Sequence, residues 1–334
     1  MRKKYLDNIR WITVILVVIY HVLYMYNAEG IPGTLGRITD LPVQYYDMYQ
    51  YFVYPWFMVL LFVIAGMSTR YALKIRTNRQ FLKERTRKLL VPSTLGLAAF
   101  QWIVGGFYMR INGGMEAIPV FLRYPIMALS GTGPLWFIQM LWLFSIVLLL
   151  IQIIDKKDRL YRLCEKCNTL MLLLLFLPIW GASQILNAPV ITTYRFGIYF
   201  IAFLFGYFII SQDSVIERIE KIHIPMLFAA IIIGTLYTWY FFGTNYSEAA
   251  CLKHIFTSLY LWIAVLAILG CGKAWLDKTS AFAGYMTKAS FGIYIVHYSV
   301  TFLTCYLLKT YLTLPIPILY LAAIVTVLLL SPVL

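Results

Sequence analysis

Apolar and polar positions along this chain fall into long blocks, with neither the narrow stripe of a soluble helix nor the alternation of a half-buried strand. Apolar runs cover residues 9–26, 48–68, 90–109, 134–154, 169–187, 195–211, 225–243, 252–271, 290–308 and 317–334. About 20 residues of helix cross the hydrocarbon of a bilayer. The pattern therefore predicts an all-α, polytopic membrane bundle of about ten transmembrane helices, forming a single integral domain over 1–334. The first run has no small-residue cleavage site and reads as a retained helix. The last run reaches residue 334 without a polar tail, so the chain is expected to end inside or just after a span.

Composition strengthens the membrane reading. Hydrophobic residues make up 61% of the 334 and charged residues 13%, where a soluble domain averages about 25% charged. Mean hydropathy is +0.77. Tyr and Trp, 26 and 9 in number, suit a protein with two membrane–water interfaces to line. The net charge of +14 would suggest nucleic acid if it were clustered on a soluble face. Its distribution gives a different reason. With a cytoplasmic N-terminus, segments 1–10, 69–89, 155–168, 212–224 and 272–289 lie inside and hold 22 of the 28 Lys and Arg, leaving six outside. Such a bias over short loops sets membrane orientation. It predicts contact with anionic headgroups and no nucleic-acid partner.

The short loops leave no room for a soluble catalytic domain, so any chemistry belongs to the bundle. Gly- and Pro-rich stretches near 27–47 and 110–133 are expected to form a mouth on the outer side. No P-loop, GxGxxG, HExxH or GxSxG is present. Cys164 and Cys167 form a lone CxxC without a second pair, which leaves no complete zinc set; no metal site is expected. Carboxylates are scarce in the runs, with Asp47 and Glu248 at their edges, which argues against a proton-coupled transporter.

Arg10 and His21 are eleven residues apart on the first predicted helix. That spacing is about 20° beyond three full turns and about 16.5 Å along the axis, so both share a face. Ionisable groups within a span are costly and usually face a bundle interior or wet cavity, and histidine suits proton transfer near neutral pH. Two readings stand: a catalytic pair, or a headgroup anchor and an interhelical hydrogen bond. Arg85, Arg87 and Lys88 precede the third run, where Pro92 is expected to open the helix. They are either orientation anchors or cations for the phosphates of a cytoplasmic ligand, which arginine grips bidentately. His297 is the other histidine deep in a run and reads equally as a catalytic group or a satisfied core histidine. His223 and His254 lie at run ends, and Arg195 reads as a snorkelling anchor or a contact for an anionic group. Trp136, in GTGPLWFIQ, fits an interfacial belt.

In order along the chain, several segments resemble the acyltransferase 3 family of integral membrane O-acyltransferases. YLDNIRWITVILVVIYHV is similar to that family's first helix, marked by an arginine and a histidine separated by ten residues, here Arg10 and His21. FVIAGMSTR resembles its second-helix Ser-Gly-Phe-like segment, with Ala65 and Met67 departing from it. FLKERTRKLLVP resembles the basic stretch before a proline and places Arg85 and Arg87. YFIAFLFGYFI resembles a Phe-Leu-Leu-Gly-Tyr segment, and SFGIYIVH a late Tyr-Leu-x-His segment that places Tyr294 and His297.

The resemblance implies acyl transfer, acetyl above all, from cytoplasmic acyl-CoA to a hydroxyl of an extracytoplasmic carbohydrate or cell-envelope glycan. On that reading His21 is a general base or transient acyl carrier, and Arg10 orients it or the donor. Arg85, Arg87 and Lys88 bind the donor, and His297, Tyr294 and Arg195 are additional site candidates. Acyl-CoA is then a co-substrate, no cofactor is bound, and the protein is a multi-pass component of the plasma membrane. A transporter or flippase for a lipid-linked or acylated envelope intermediate is the alternative, and a purely structural partner of a glycan-synthesis complex is a third. No span shows a convincing small-xxx-small seam, which leaves the oligomeric state open.

Overall fold

The computed structural model describes residues 3–28, 33–37, 44–111, 114–116, 118–155, 157–188 and 193–333. Among them every regular element is helical, apart from one isolated antiparallel bridge between Asn187 and Arg195. Among the described residues seven helices are long and apolar enough to cross a membrane: Lys4–Met25, Tyr45–Leu73, Asn78–Arg110, Leu135–Ile154, His223–Phe241, Ile255–Leu276 and Ala281–Tyr311. An eighth arises if Phe196–Ile210 and Asp213–Lys221, bent by 98°, are taken as one span. The chain is thus a multi-pass helical membrane protein. The ten expected spans are matched by seven or eight of full length. Runs 169–187 and 317–334 form Thr169–Ser183 and Ile316–Leu330, which at 10–17 residues are short for crossing alone. A further apolar helix, Val120–Ser130, lies within the stretch expected to be an outer mouth.

The chain divides into two compact units. The first comprises Met1–Thr13, Met48–Leu82 and Leu143–Thr287. A close backbone contact joins Met48–Leu73 to Phe196–Ile210 through Gly66 and Gly206. A Cβ on Gly66 would stand 2.0 Å from the Phe203 carbonyl oxygen, and one on Gly206 would stand 2.0 Å from that of Val63. Lipid tails are as apolar as leucine, so helices in a membrane gain by close backbone approach, which only small residues permit. Beyond Gly206 the helix widens to π geometry over Gly206–Ile210, and the Tyr207 hydroxyl accepts from Gln152 Nε2 at 2.6 Å and from Arg70 at 3.2 Å. Arg70 grips both oxygens of Asp158 at 3.0 Å and lies 3.8 Å over the Tyr161 ring. The positive-inside pattern groups Arg70 with headgroup anchors, yet its side chain is only 11% exposed.

The N-terminal end of the first helix is clipped to the end of Ile255–Leu276. Asn8 Nδ2 donates to the carbonyls of Leu276 and Lys278 at 2.7 and 2.8 Å, supplying donors to carbonyls that lack helical partners. Asp277 accepts from the Tyr5 backbone amide at 3.3 Å and pairs with Lys273 at 2.7 Å. Partial burial pushes the Asp277 carboxyl up, but these hydrogen bonds and the nearby lysines outweigh it and hold the group below its usual range.

The second unit comprises Val14–Asp47, Lys83–Trp142 and Lys288–Leu334. Asp47, expected at a run edge, is buried and fastens the loop after the first helix, accepting from Gln44 Nε2 and the Ala28 amide at 3.0 Å each. Asn78–Arg110 runs through Pro92 without a break, so the proline does not open this helix. A π turn over Thr86–Leu90 precedes it, and a second follows over Leu97–Gln101. The wider first turn makes room for a ring that would clash with the preceding turn and lacks a donor.

Two outcomes test these contacts. Gly206→Val should destabilise the protein by about 1–3 kcal/mol or more, read as loss of thermal stability in detergent with the chain still inserted. Asp277 has a depressed folded-state pKa, so its contribution is present above the unfolded carboxylate value of about 3.9 and lost as pH falls through the folded value. The stability deficit of Asp277→Asn should therefore be constant near neutrality and disappear in strong acid.

Candidate active site

The second unit brings together two histidines that lie 276 positions apart in sequence. His297, on Ala281–Tyr311, is fully buried, and its Nδ1 lies 3.0 and 2.9 Å from the carbonyl oxygens of Ile293 and Tyr294. Carbonyls only accept, so Nδ1 of His297 carries the proton. Its Nε2 stands 3.1 Å from Nδ1 of His21. With both rings neutral, His297 Nε2 presents a lone pair and His21 Nδ1 donates to it. The lone pair of His21 then falls on Nε2. Helical backbone thus sets the tautomer of the second ring through the first, the part a carboxylate plays for many catalytic histidines.

Aromatic rings enclose the pair. Those of Tyr20, Tyr24 and Tyr298 stand edge-to-face to His21 with centroids 5.2, 6.2 and 5.0 Å away. Tyr294 flanks His297 at 5.7 Å, while its hydroxyl donates to the Pro134 carbonyl at 2.8 Å. Tyr294 is therefore a wall and a fastening rather than a free acid. The Tyr298 and Tyr108 hydroxyls share a hydrogen bond of 2.8 Å. A cleft of about 370 Å³, lined by Lys288, Gly292, Ile293, Val296 and Ser331, opens beside the turn whose carbonyl holds His297.

Arg10 stands on the same unbroken helix as His21, Lys4–Met25, and its contacts lie in the first unit. It pairs with Asp7 at 3.1 Å and donates to Ser68 Oγ at 3.0 Å. The two segments singled out in the first and second helices therefore touch at Arg10 and Ser68. The Arg10 side chain is 38% exposed. In the second unit, Arg87 and Lys88 are exposed on the first π turn of Asn78–Arg110, and Arg85 is half-buried just before it. Lys88 is drawn to Glu84 at 2.6 Å.

The remaining candidates have structural partners. Arg195, in the first unit, is buried and donates to the Leu252 carbonyl at 2.8 Å. His254 caps Ile255–Leu276 by accepting from the Phe256 amide at 3.2 Å, and His223 opens His223–Phe241 with Nδ1 against the Glu220 carbonyl. Cys164 and Cys167 are free, and burial pushes both thiols up, away from the thiolate form. The direct His21–His297 contact was not predicted, because sequence offers no measure of which deep residues in distant spans meet. Gln101, an amide inside the apolar run 90–109, is fully buried in the second unit and was not singled out either.

The described residues thus form a multi-pass helical membrane protein with two coupled, buried imidazoles in its second unit. Residues 3–334 match the family model Acyl_transf_3, described as an acyltransferase domain, and the chain belongs to that family. Comparison with curated proteins found no match, nor did comparison with solved structures.

The tautomer assignment is directly measurable. Nitrogen-15 shifts of histidine-labelled protein in bilayers should show protonated Nδ1 and unprotonated Nε2 on both coupled rings, identified by their loss in His21→Asn and His297→Asn. A protonated Nε2 on neutral His297 would overturn the assignment.

Proposed function

We propose that the protein is an acyl-CoA-dependent membrane O-acyltransferase whose general base is His21. It moves an acyl group, acetyl above all, from cytoplasmic acyl-CoA to a hydroxyl of an extracytoplasmic carbohydrate or cell-envelope glycan. Membership of the acyltransferase family supports the reaction class. The observation that carries the role of His21 is its Nδ1 contact with a histidine whose own Nδ1 is held by two carbonyls.

In this mechanism the acceptor hydroxyl gives its proton to Nε2 of His21 as its oxygen attacks the thioester carbon. A carbon–oxygen bond forms, the carbon–sulfur bond breaks, and the departing thiolate takes the proton back from His21. A hydroxyl has too high a pKa to attack unaided at neutral pH, which is why a positioned base matters. The imidazolium formed in transit donates from Nδ1 to His297, so the charge arises against a ready acceptor. Arg85 and Arg87 hold the CoA phosphates, with Lys88 adding charge from its pairing with Glu84, and Arg10 orients the donor from the cytoplasmic end of the first helix. Tyr294 positions His297, and Arg195 fastens the Leu252 carbonyl in the first unit. The protein works in the plasma membrane with a cytoplasmic N-terminus, the orientation that the distribution of Lys and Arg supports.

Purified protein in lipid nanodiscs, given labelled acyl-CoA and carbohydrate acceptors, should transfer label. His21→Ala should lower the rate by about 10²–10⁴-fold with normal insertion, and normal transfer by that variant would reject the role of His21. Movement of an acylated intermediate without transfer would indicate a flippase. The double variant Arg85→Ala/Arg87→Ala should bind acyl-CoA about tenfold more weakly or worse, by loss of charge-assisted hydrogen bonds, and with a flatter salt dependence. Unchanged binding would leave these arginines as orientation anchors.

A further inference from the structure

We propose that Gln101 is a further catalytic residue, its carboxamide N–H donating to the acyl carbonyl oxygen as negative charge builds there. This rests on the acyltransferase reading above. Gln101 is fully buried, and neither its Nε2 nor its Oε1 has a hydrogen-bond partner. Native proteins rarely leave buried polar groups unmatched, so each one calls for a specific explanation. A carboxamide with both ends unmatched suits a site completed by a ligand.

Its placement ties the amide to the histidine pair within the second unit. Gln101 ends the π turn Leu97–Gln101, and such turns frequently mark functional positions in helices. The 131–134 turn packs directly against it. A Cβ on Gly131 would lie 2.0 Å from the Gln101 carbonyl oxygen. At Gly133, where φ is +48°, a Cβ would lie 3.4 Å from Gln101 Oε1 and 2.8 Å from the Tyr298 ring. That same Tyr298 ring stands edge-on to His21, 5.0 Å between centroids. The next residue of the turn, Pro134, accepts from Tyr294, which flanks His297. One turn of chain thus touches the free amide, the tyrosine that walls His21 and the tyrosine that flanks His297.

The chemistry matches. A neutral amide suits a neutral carbonyl in the ground state and strengthens its hydrogen bond as that oxygen becomes an oxyanion. During transfer the acceptor oxygen bonds to the acyl carbon and its proton goes to His21 Nε2. The carbonyl π electrons move onto the oxygen facing Gln101. When they return, the carbon–sulfur bond breaks and the thiolate leaves with the proton from His21. Gln101 exchanges no proton at any point.

The test compares Gln101→Leu and Gln101→Met with His21→Ala in the same nanodisc assay. Either replacement removes the unmatched amide from an apolar surround, so thermal stability should hold or rise. The value of kcat should fall by about 10²–10³-fold, the usual loss for one oxyanion donor, while KM for acyl-CoA hardly moves. A second readout needs no variant: the infrared band of a carbon-13 thioester carbonyl bound to wild-type protein should lie below its position in dry organic solvent. Full turnover in a folded Gln101→Leu or Gln101→Met protein would overturn the proposal, as would an unshifted band in the wild type. Loss of activity at His21 but not at Gln101 rejects this inference alone, whereas activity retained at His21 rejects the reading beneath it.

Discussion

Hydrocarbon offers no water to a polar group, so each donor and acceptor placed at membrane depth must find its partner within the protein. That demand organises much of what lies inside these helices. Arg70 is enclosed by Asp158, Tyr207 and Tyr161, and Arg195 is turned onto the Leu252 carbonyl. Asn8 donates its amide to two carbonyls, one at and one just beyond the end of Ile255–Leu276. The histidine pair obeys the same demand, since the backbone of Ala281–Tyr311 takes one imidazole proton and leaves a lone pair for the next ring. No buried carboxylate is required for that arrangement, which accords with the scarcity of acidic residues in the apolar runs.

The first unit shows how close packing serves the same end. Gly66 and Gly206 let two helix backbones meet, and Tyr207, one residue beyond the second glycine, joins the Arg70 network. Two residues before Arg70, Ser68 receives Arg10 from the first helix. Segments that look like unrelated motifs in the sequence are therefore neighbours along one helix, Met48–Leu73, which links the glycine contact to both arginines.

The helical class and most of the long helices were legible in the apolar blocks, because span length is fixed by bilayer thickness. Number was harder. Thr169–Ser183 and Ile316–Leu330 satisfy hydropathy but are short, and the bend at Ser211 and Gln212 leaves the status of Phe196–Ile210 to geometry rather than composition. For the site, Arg10 and His21 were legible as candidates on one helix, because their apolar run is continuous. Their partners, Ser68 and His297, come from distant spans, and no periodicity connects those. Gln101 was visible only as an amide in an apolar run, and its want of a partner is a property of packing. Pro92 misled for a simpler reason: a proline ordinarily marks the start of a helix, but a preceding π turn accommodates it within one.

The two π turns of Asn78–Arg110 have a consequence for the rotational phase of this helix. Each is the trace of one extra residue accommodated in a turn, and together they divide the helix into three lengths whose rotational phases are set separately. The cations of the first π turn lie on one length boundary and Gln101 on the next. A single-residue deletion anywhere between them would leave composition and hydropathy almost untouched, yet it would turn every downstream side chain to a different azimuth. Along this stretch the helical phase set by the two π turns, as well as the identity of each residue, decides where a side chain points.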